Sequence, residues 1–133
     1  MSRYLQLEIR GDAYLLDTAI VAEIRTFYDS PVLVRGEAVP MVDLGELFDG
    51  PKVAAGCCIL VRREASGTIA VIVDRADSLV ELADAEFRPL PPIGPLGFLI
   101  DAVSIRAGTT TPALRLRGER LWEYCDQPVT LSR

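Results

Sequence analysis

Few side chains in this sequence are equipped for chemistry, and their spacing does not assemble them into a catalytic set. Histidine is absent, which removes the commonest metal ligand and the usual general base near neutral pH. Three cysteines, Cys57, Cys58 and Cys125, match neither zinc-ligand spacing nor a C-x-x-C redox pair. Cys57 and Cys58 are adjacent in the apolar run Cys57-Cys58-Ile59-Leu60-Val61, where a strand would send them to opposite faces. At least one should therefore be a buried small hydrophobe, and the odd count suits a reducing compartment. Lys52 is the only lysine and sits in Asp49-Gly50-Pro51-Lys52, the composition of an exposed turn. No catalytic residue, cofactor or metal site is expected. The adjacent thiols are the only support for reading the chain as a small enzyme or redox protein that uses Cys57, Cys58 or a carboxylate pair.

The charge balance narrows the partners. A net charge of −5 runs against nucleic-acid binding, which needs a clustered cationic face. Arg115, Arg117 and Arg120 do recur, but Glu119 and Glu123 sit among them, so they read as a solvated edge. Every apolar run is broken by charge or proline before it reaches the length of a membrane span. The start, Met1-Ser2-Arg3-Tyr4, enters an alternating pattern at once and lacks the features of a signal peptide. A cytoplasmic location without membrane insertion is the expectation.

The elements that must position any site are short strands. Leu5, Leu7 and Ile9 alternate with Gln6, Glu8 and Arg10, the period-two mark of a half-buried strand. Gly11-Asp12 turns into a second strand, Ala13 to Leu16, and Asp17 with Thr18 can cap a short helical turn. A strand follows at Val21-Ala22-Glu23-Ile24, and residues 25–31 read as a turn-rich connection. Val32 to Gly36 and Glu37 to Val42 read as two strands turning near Gly36, with Pro40 at an edge or bulge. Asp43 is placed to cap a helical turn over Leu44 to Phe48. Val39, Met41 and Leu44 form an apolar stripe expected in the core. Cys57 to Arg63 and Thr68 to Val73 form a hairpin around Glu64-Ala65-Ser66-Gly67, and Ile69 to Val73 lacks polar alternation, as in a strand buried on both faces. Ser78 to Leu82 is extended. A short helical turn is possible over Ala83 to Phe87, and Pro89, Pro91, Pro92 and Pro95 then predict an irregular connection, pinned by Phe87 and Leu90. Phe98 to Ile105 and Ala113 to Leu116 return to strand, with a turn at Gly108 to Pro112 between them. Glu119 to Tyr124 suggests a terminal helix, and the tail beyond Asp126 should be loosely held. Many short strands with brief helices point to an all-β barrel domain. At 133 residues, half of them hydrophobic, one domain over 1–133 is the simplest organisation.

Three segments, taken in order, resemble the CheW-like domain family of chemotaxis adaptor proteins. Val21-Ala22-Glu23-Ile24 is similar to the family's V-x-E-I strand. Leu33-Val34-Arg35-Gly36-Glu37-Ala38-Val39-Pro40-Met41-Val42-Asp43-Leu44 resembles its hallmark L-R-G-x-x-x-P-x-x-D-L. Ala70 to Asp77, continuing to Phe87-Arg88-Pro89-Leu90-Pro91, is similar to its G-x-x-V-D-x-V stretch and the I-x-P-x-P that follows. Ala113 to Trp122 fits the last strand and helix.

The resemblance implies an all-β fold of two interlocked SH3-like β-barrel subdomains with short helices. It also implies a non-catalytic adaptor role. One surface would dock on the regulatory domain of a CheA-type histidine kinase, and another on the cytoplasmic tip of a methyl-accepting chemoreceptor. Glu23 and Arg35 match positions linked to partner contact. Val21, Ile24 and Val34 would frame them as an apolar surround, so that the charges orient and the rim supplies affinity. Without the resemblance, Glu23 would read as a solvated strand residue and Arg35 as internally paired. Pro40 and Asp43 are assigned to structure. Three departures stand out. Between Ile24 and Val34 the chain is shorter than the family pattern, and Leu33-Val34 replaces the usual asparagine before leucine-arginine-glycine. Gly94-Pro95-Leu96-Gly97 also replaces a longer insert. These departures support an alternative reading as a divergent CheW-like regulatory module, in a pathway that controls something other than swimming or with other partners.

Overall fold

Alternating and doubly apolar strands need two faces to cover, and the chain supplies them with two sheets. In the computed structural model, residues 2–92, 94, 97–105 and 112–125 are described. The strands are β1 (Ser2–Ile9), β2 (Asp12–Asp17), β3 (Val21–Phe27), β4 (Leu33–Val34), β5 (Glu37–Ala38), β6 (Met41–Asp43), β7 (Gly56–Arg63), β8 (Gly67–Val73), β9 (Arg75–Leu82), β10 (Phe87–Pro89), β11 (Ile100–Ser104) and β12 (Ala113–Leu116). One four-residue helix, α1 (Leu44–Leu47), and three 3-10 turns, Thr18–Ile20, Asp84–Glu86 and Gly118–Tyr124, complete the elements. Six strands form one sheet in the order β10-β11-β12-β2-β1-β9, four form another in the order β3-β7-β8-β6, and β4-β5 stand apart as a small hairpin. The expected all-β class with short helices is the class adopted. No helix among the described residues is long and apolar enough to cross a membrane.

The two sheets share one core. Leu5, Leu7 and Ile9 of β1 meet Ile59 and Val61 of β7 and Ile69, Val71 and Val73 of β8 in a single buried cluster. The other face of β8, Ala70 and Ile72, enters a second cluster with Phe27, Val32, Val53, Cys58 and Leu60. All five residues from Ile69 to Val73 are at most 1% exposed, as the unbroken apolar run requires. Val39 and Met41 lean on the second cluster while Leu44 enters the first, so the expected stripe serves both cores.

Both two-residue hairpins turn on an Arg-Gly pair. Ile9 pairs with Asp12 across Arg10 and Gly11, whose φ angles are +49° and +86°. Positive φ at both central residues is the requirement of a type I′ turn, whose twist matches that of the flanking strands. A non-glycine residue there costs about 1–2 kcal/mol. At Arg10 the side chain offsets that cost. Its guanidinium donates to the carbonyls of Gly45 (2.9 Å) and Phe48 (2.7 Å) at the end of α1, and its backbone N–H donates to Asp74 (2.7 Å). Any side chain at Gly50 would occupy the space of that guanidinium. Arg10 therefore ties the turn of the six-stranded sheet to the helix beside the four-stranded one. Asp43 caps α1 as expected, accepting from the N–H of Glu46 (3.1 Å) and of Val53 (2.9 Å).

The structure corrects several boundaries. β3 runs on to Phe27, because Arg25, Thr26 and Phe27 pair with Cys58, Cys57 and Gly56 where a turn was expected. Glu37 to Val42 is two strands, not one, broken at Val39-Pro40 because Pro40 has no N–H for a ladder. Its carbonyl instead accepts from Ala70 (2.9 Å). Phe87–Pro89 is a strand on β11 where prolines predicted irregular chain. β10 lies at the end of its sheet, where a missing N–H is tolerated. The terminal helix is of 3-10 type, from Gly118. The turn expected at Gly108 to Pro112 lies outside the described residues except for Pro112, as does the tail from Asp126. Of the compressed stretch, Pro95 and Leu96 fall outside as well.

The thiols are packed. Cys58 is 1% exposed and Cys125 is buried, while Cys57 is half-buried. Burial pushes the Cys57 thiol up and, outweighing the opposing pull of the Arg25 charge, pushes Cys58 up from 9.0 to about 11.

Two expectations follow from this packing. Arg10→Ala should remove two charge-assisted bonds and cost about 1–2 kcal/mol, seen as a Tm lower by roughly 3–8 °C. Cys58 at pH 8 should carry about 100-fold less thiolate than an ordinary thiol, given its two-unit rise, and its alkylation in the folded protein should slow accordingly. The sign for stability follows, since the folded state holds the proton more tightly. Stabilisation by the buried neutral thiol is complete below pH 9.0 and lost as pH climbs through about 11. Urea midpoints across that range would test it. Alkylation of Cys58 as fast as in the unfolded chain would contradict its burial.

Candidate functional site

β3 is an edge strand of the four-stranded sheet, and a register shift between Val21 and Glu23 marks its irregular start. After the shift, Glu23 pairs with Leu60, Ile24 with Ile59 and Arg25 with Cys58. Cross-strand partners share a face. Glu23 and Arg25 therefore point to the side of the second cluster, where Leu60 and Cys58 lie, and Ile24 to the side of the main core, where Ile59 lies. Val21 is half-buried against the main core, and Ile24 is 45% exposed. Of the five residues expected to form one patch, the structure thus separates Val21 and Ile24 from Glu23.

Glu23 is brought instead toward the β4-β5 hairpin, and the agent is Arg25. The Arg25 guanidinium donates from Nε to Glu23 Oε2 at 2.9 Å and from Nη2 to Oε1 at 3.4 Å. Its third donor, Nη1, reaches the Leu33 carbonyl at 2.7 Å. The hydrogen bond from Arg25 holds the Glu23 carboxyl below its usual range, and Glu23 in turn raises Arg25. Sequence reasoning missed Arg25. The available signal was its spacing, since residues two apart on a strand share a face.

Arg35 sits at the tip of that hairpin. Leu33 pairs with Ala38 and Val34 with Glu37, leaving Arg35 and Gly36 as a two-residue turn with φ of +53° and +82°. This is the same solution as at Arg10, with the opposite use of the side chain. Arg35 is exposed, and among the described residues no hydrogen bond or ion pair engages its guanidinium. Val34, half-buried, packs on the second cluster. Beside the hairpin lies a groove of about 380 Å³, lined by Arg25, Phe27, Tyr28, Pro31, Leu33 and Cys58 among others. Tyr28 and Leu33, 76% and 49% exposed, give it an apolar rim.

The other cationic cluster is neutralised internally. Arg115 grips Asp101 with two donors (2.8 and 3.3 Å) and lies over the Phe87 ring, Arg117 also approaches Asp101 (3.7 Å), and Arg120 pairs with Glu123 (2.7 Å). All three are half-buried and paired with carboxylates, so they form internal ion pairs where a solvated edge was expected.

A family model described as CheW-like domain matches residues 3–123. Among solved structures, the scaffolding protein TtCheW from Thermoanaerobacter tengcongensis is similar in fold, with a TM-score of 0.68 at 15% identity over 87% of this chain and 84% of that one. Comparison with curated proteins returned no match. Proteins of the matched family are non-catalytic scaffolds of chemotaxis signalling. With the match spanning the all-β body and both segments of the site, the chain belongs to the CheW-like domain family, with the general role of a chemotaxis adaptor.

Proposed function

We propose that this chain couples the cytoplasmic tip of a methyl-accepting chemoreceptor to the regulatory domain of a CheA-type histidine kinase, in the cytoplasm and by protein contacts alone. Residues 1–133 act as one unit in this reading, which Arg10 supports by bridging the two sheets. One partner contacts the surface formed by Glu23, Arg35 and Val34. Val21 and Ile24 flank β3 from its other face, where Ile24 is open to a second contact.

The observation that carries the reading is the state of Arg35. A non-glycine residue in left-handed backbone costs about 1–2 kcal/mol. At Arg10 internal bonds offset that cost, and at Arg35 no internal bond does among the described residues. Strain without an internal return is the pattern of a residue kept for what it does outward. An exposed arginine beside exposed Tyr28 and Leu33 has the make-up of an interface anchor.

The alternative, a CheW-like module with altered partners, draws on the same hairpin. Its strands are only two residues long and five residues link β3 to β4, so a surface built on a longer hairpin is reduced here. Titrating the chain separately against a kinase regulatory domain and a receptor tip discriminates the two. Binding to both supports coupling. Binding to neither at concentrations up to roughly 100 μM would remove it.

The residue-level expectation uses the backbone strain. Arg35→Gly relieves the strained φ, so Tm should hold or rise by up to about 5 °C while affinity for the partner falls roughly tenfold. Glu23→Ala should also weaken binding and leave Tm within about 3 °C, because exposed ion pairs add little stability. A large fall in Tm for either variant would reassign that residue to structure.

A further inference from the structure

We infer that Arg25 is a positioning residue, joining the Glu23 carboxylate and the Leu33–Ala38 hairpin into a single pre-set contact surface. This rests on the surface proposed above and adds a residue that surface does not itself include.

The geometry gives Arg25 a poor reason to exist as a stabiliser. Its partner Glu23 is a surface carboxylate with 53% of its side chain exposed, and Arg25 itself keeps 34%. Exposed pairs of this kind contribute little to folding. What the arrangement does supply is direction. Two donors of one rigid fork hold both oxygens of Glu23, and a third holds a backbone carbonyl on a different element. Lysine could not do this, because an ammonium is a point donor rather than a planar fork.

The hairpin has need of such a tie. Among the described residues, β4 and β5 pair only with each other. Their remaining backbone attachment is the bond from Val39 N–H to the Val32 carbonyl (3.0 Å) at their own base. Val34 and Val39 pack beneath them on the second cluster. Among the described residues, Arg25 is the polar link from the hairpin to β3, and hence the link between Glu23 and the turn that carries Arg35. A surface held in its bound arrangement before encounter avoids part of the ordering cost of association. Glu23 and Arg35 should accordingly act as a coupled pair.

The experiment has two arms. In the free protein, backbone amide relaxation at Val34 to Glu37 is compared between wild type, Arg25→Ala and Arg25→Lys, with Tm alongside. Arg25→Gln, which keeps part of the aliphatic stem, runs in parallel in case the alanine variant unfolds. The expected result is a loss of order at Arg35 and Gly36, with order parameters falling below about 0.6, at nearly unchanged Tm and without rescue by lysine. In the second arm, affinity for a histidine kinase regulatory domain, or for a receptor tip if that partner uses the surface, is measured for Glu23→Ala, Arg35→Ala and the double variant. The measurements are made with Arg25 present and with it replaced. Arg25→Ala should weaken binding roughly five- to tenfold, and the non-additivity of Glu23 and Arg35 should vanish with it. An equally ordered hairpin in Arg25→Ala, or full rescue by lysine, overturns the positioning role and leaves the contact surface standing. A loosened hairpin whose Arg35→Ala and Glu23→Ala variants bind both partners as wild type does overturns the contact surface and leaves the tie standing.

Discussion

Strand β8 is buried on both faces, and this constrains the rest of the molecule. Ile69, Val71 and Val73 face the core shared with β1, while Ala70 and Ile72 face the cluster beneath the β4-β5 hairpin. A strand with no polar face has to be covered twice. The chain does so with the six-stranded sheet on one side and, on the other, with Phe27, Val32 and Val53 drawn from the end of β3 and two connecting segments. Each fully buried aliphatic side chain in this spine contributes about 1.5–3 kcal/mol. Arrangements that slip β8 by one residue would exchange its two faces, and its neighbours forbid that.

The second covering layer is thin, and the candidate site follows from it. β4 and β5 are two-residue strands laid over the second cluster, into which Val34 and Val39 pack. A short free-standing hairpin is marginal on its own. It is retained here by Val34 and Val39 packing downward and by the Arg25 guanidinium reaching across to Leu33. The element that presents Arg35 thus gets its place from burial below and a hydrogen-bonded fork at the side.

Much of this architecture could be read from residues, and the failures have physical causes. The β1-β2 and β7-β8 hairpins were legible because alternation, turn glycines and the unbroken run at Ile69 to Val73 all agree. The last three residues of β3 were not, because Arg25 and Thr26 beside Tyr28-Asp29-Ser30-Pro31 look like connection, and only pairing with β7 makes them strand. Pro89 misled in the other direction, since a ladder has room for proline at its edge. Within the site, Glu23 and Arg35 were identified through family resemblance, and Val34 through adjacency to Arg35. The separation of Val21 from Glu23 rests on a feature that sequence does not display, the register shift after Val21, whereas Ile24, the next residue after Glu23, faces the other way by alternation alone. Strict alternation would have put Val21 on the same face as Glu23.

The two Arg-Gly turns show why local pattern alone cannot separate structure from function. Arg10-Gly11 and Arg35-Gly36 solve the same problem of closing a two-residue hairpin, with the same left-handed backbone. Nothing in the dipeptide distinguishes them. What differs is where the guanidinium lands. For Arg10 it finds the carbonyls of Gly45 and Phe48 at the end of α1, and the strain is offset within the fold. For Arg35 it forms no hydrogen bond or ion pair among the described residues, and the strain is not offset within the fold. The Arg35 guanidinium is exposed and so remains open to whatever approaches from outside.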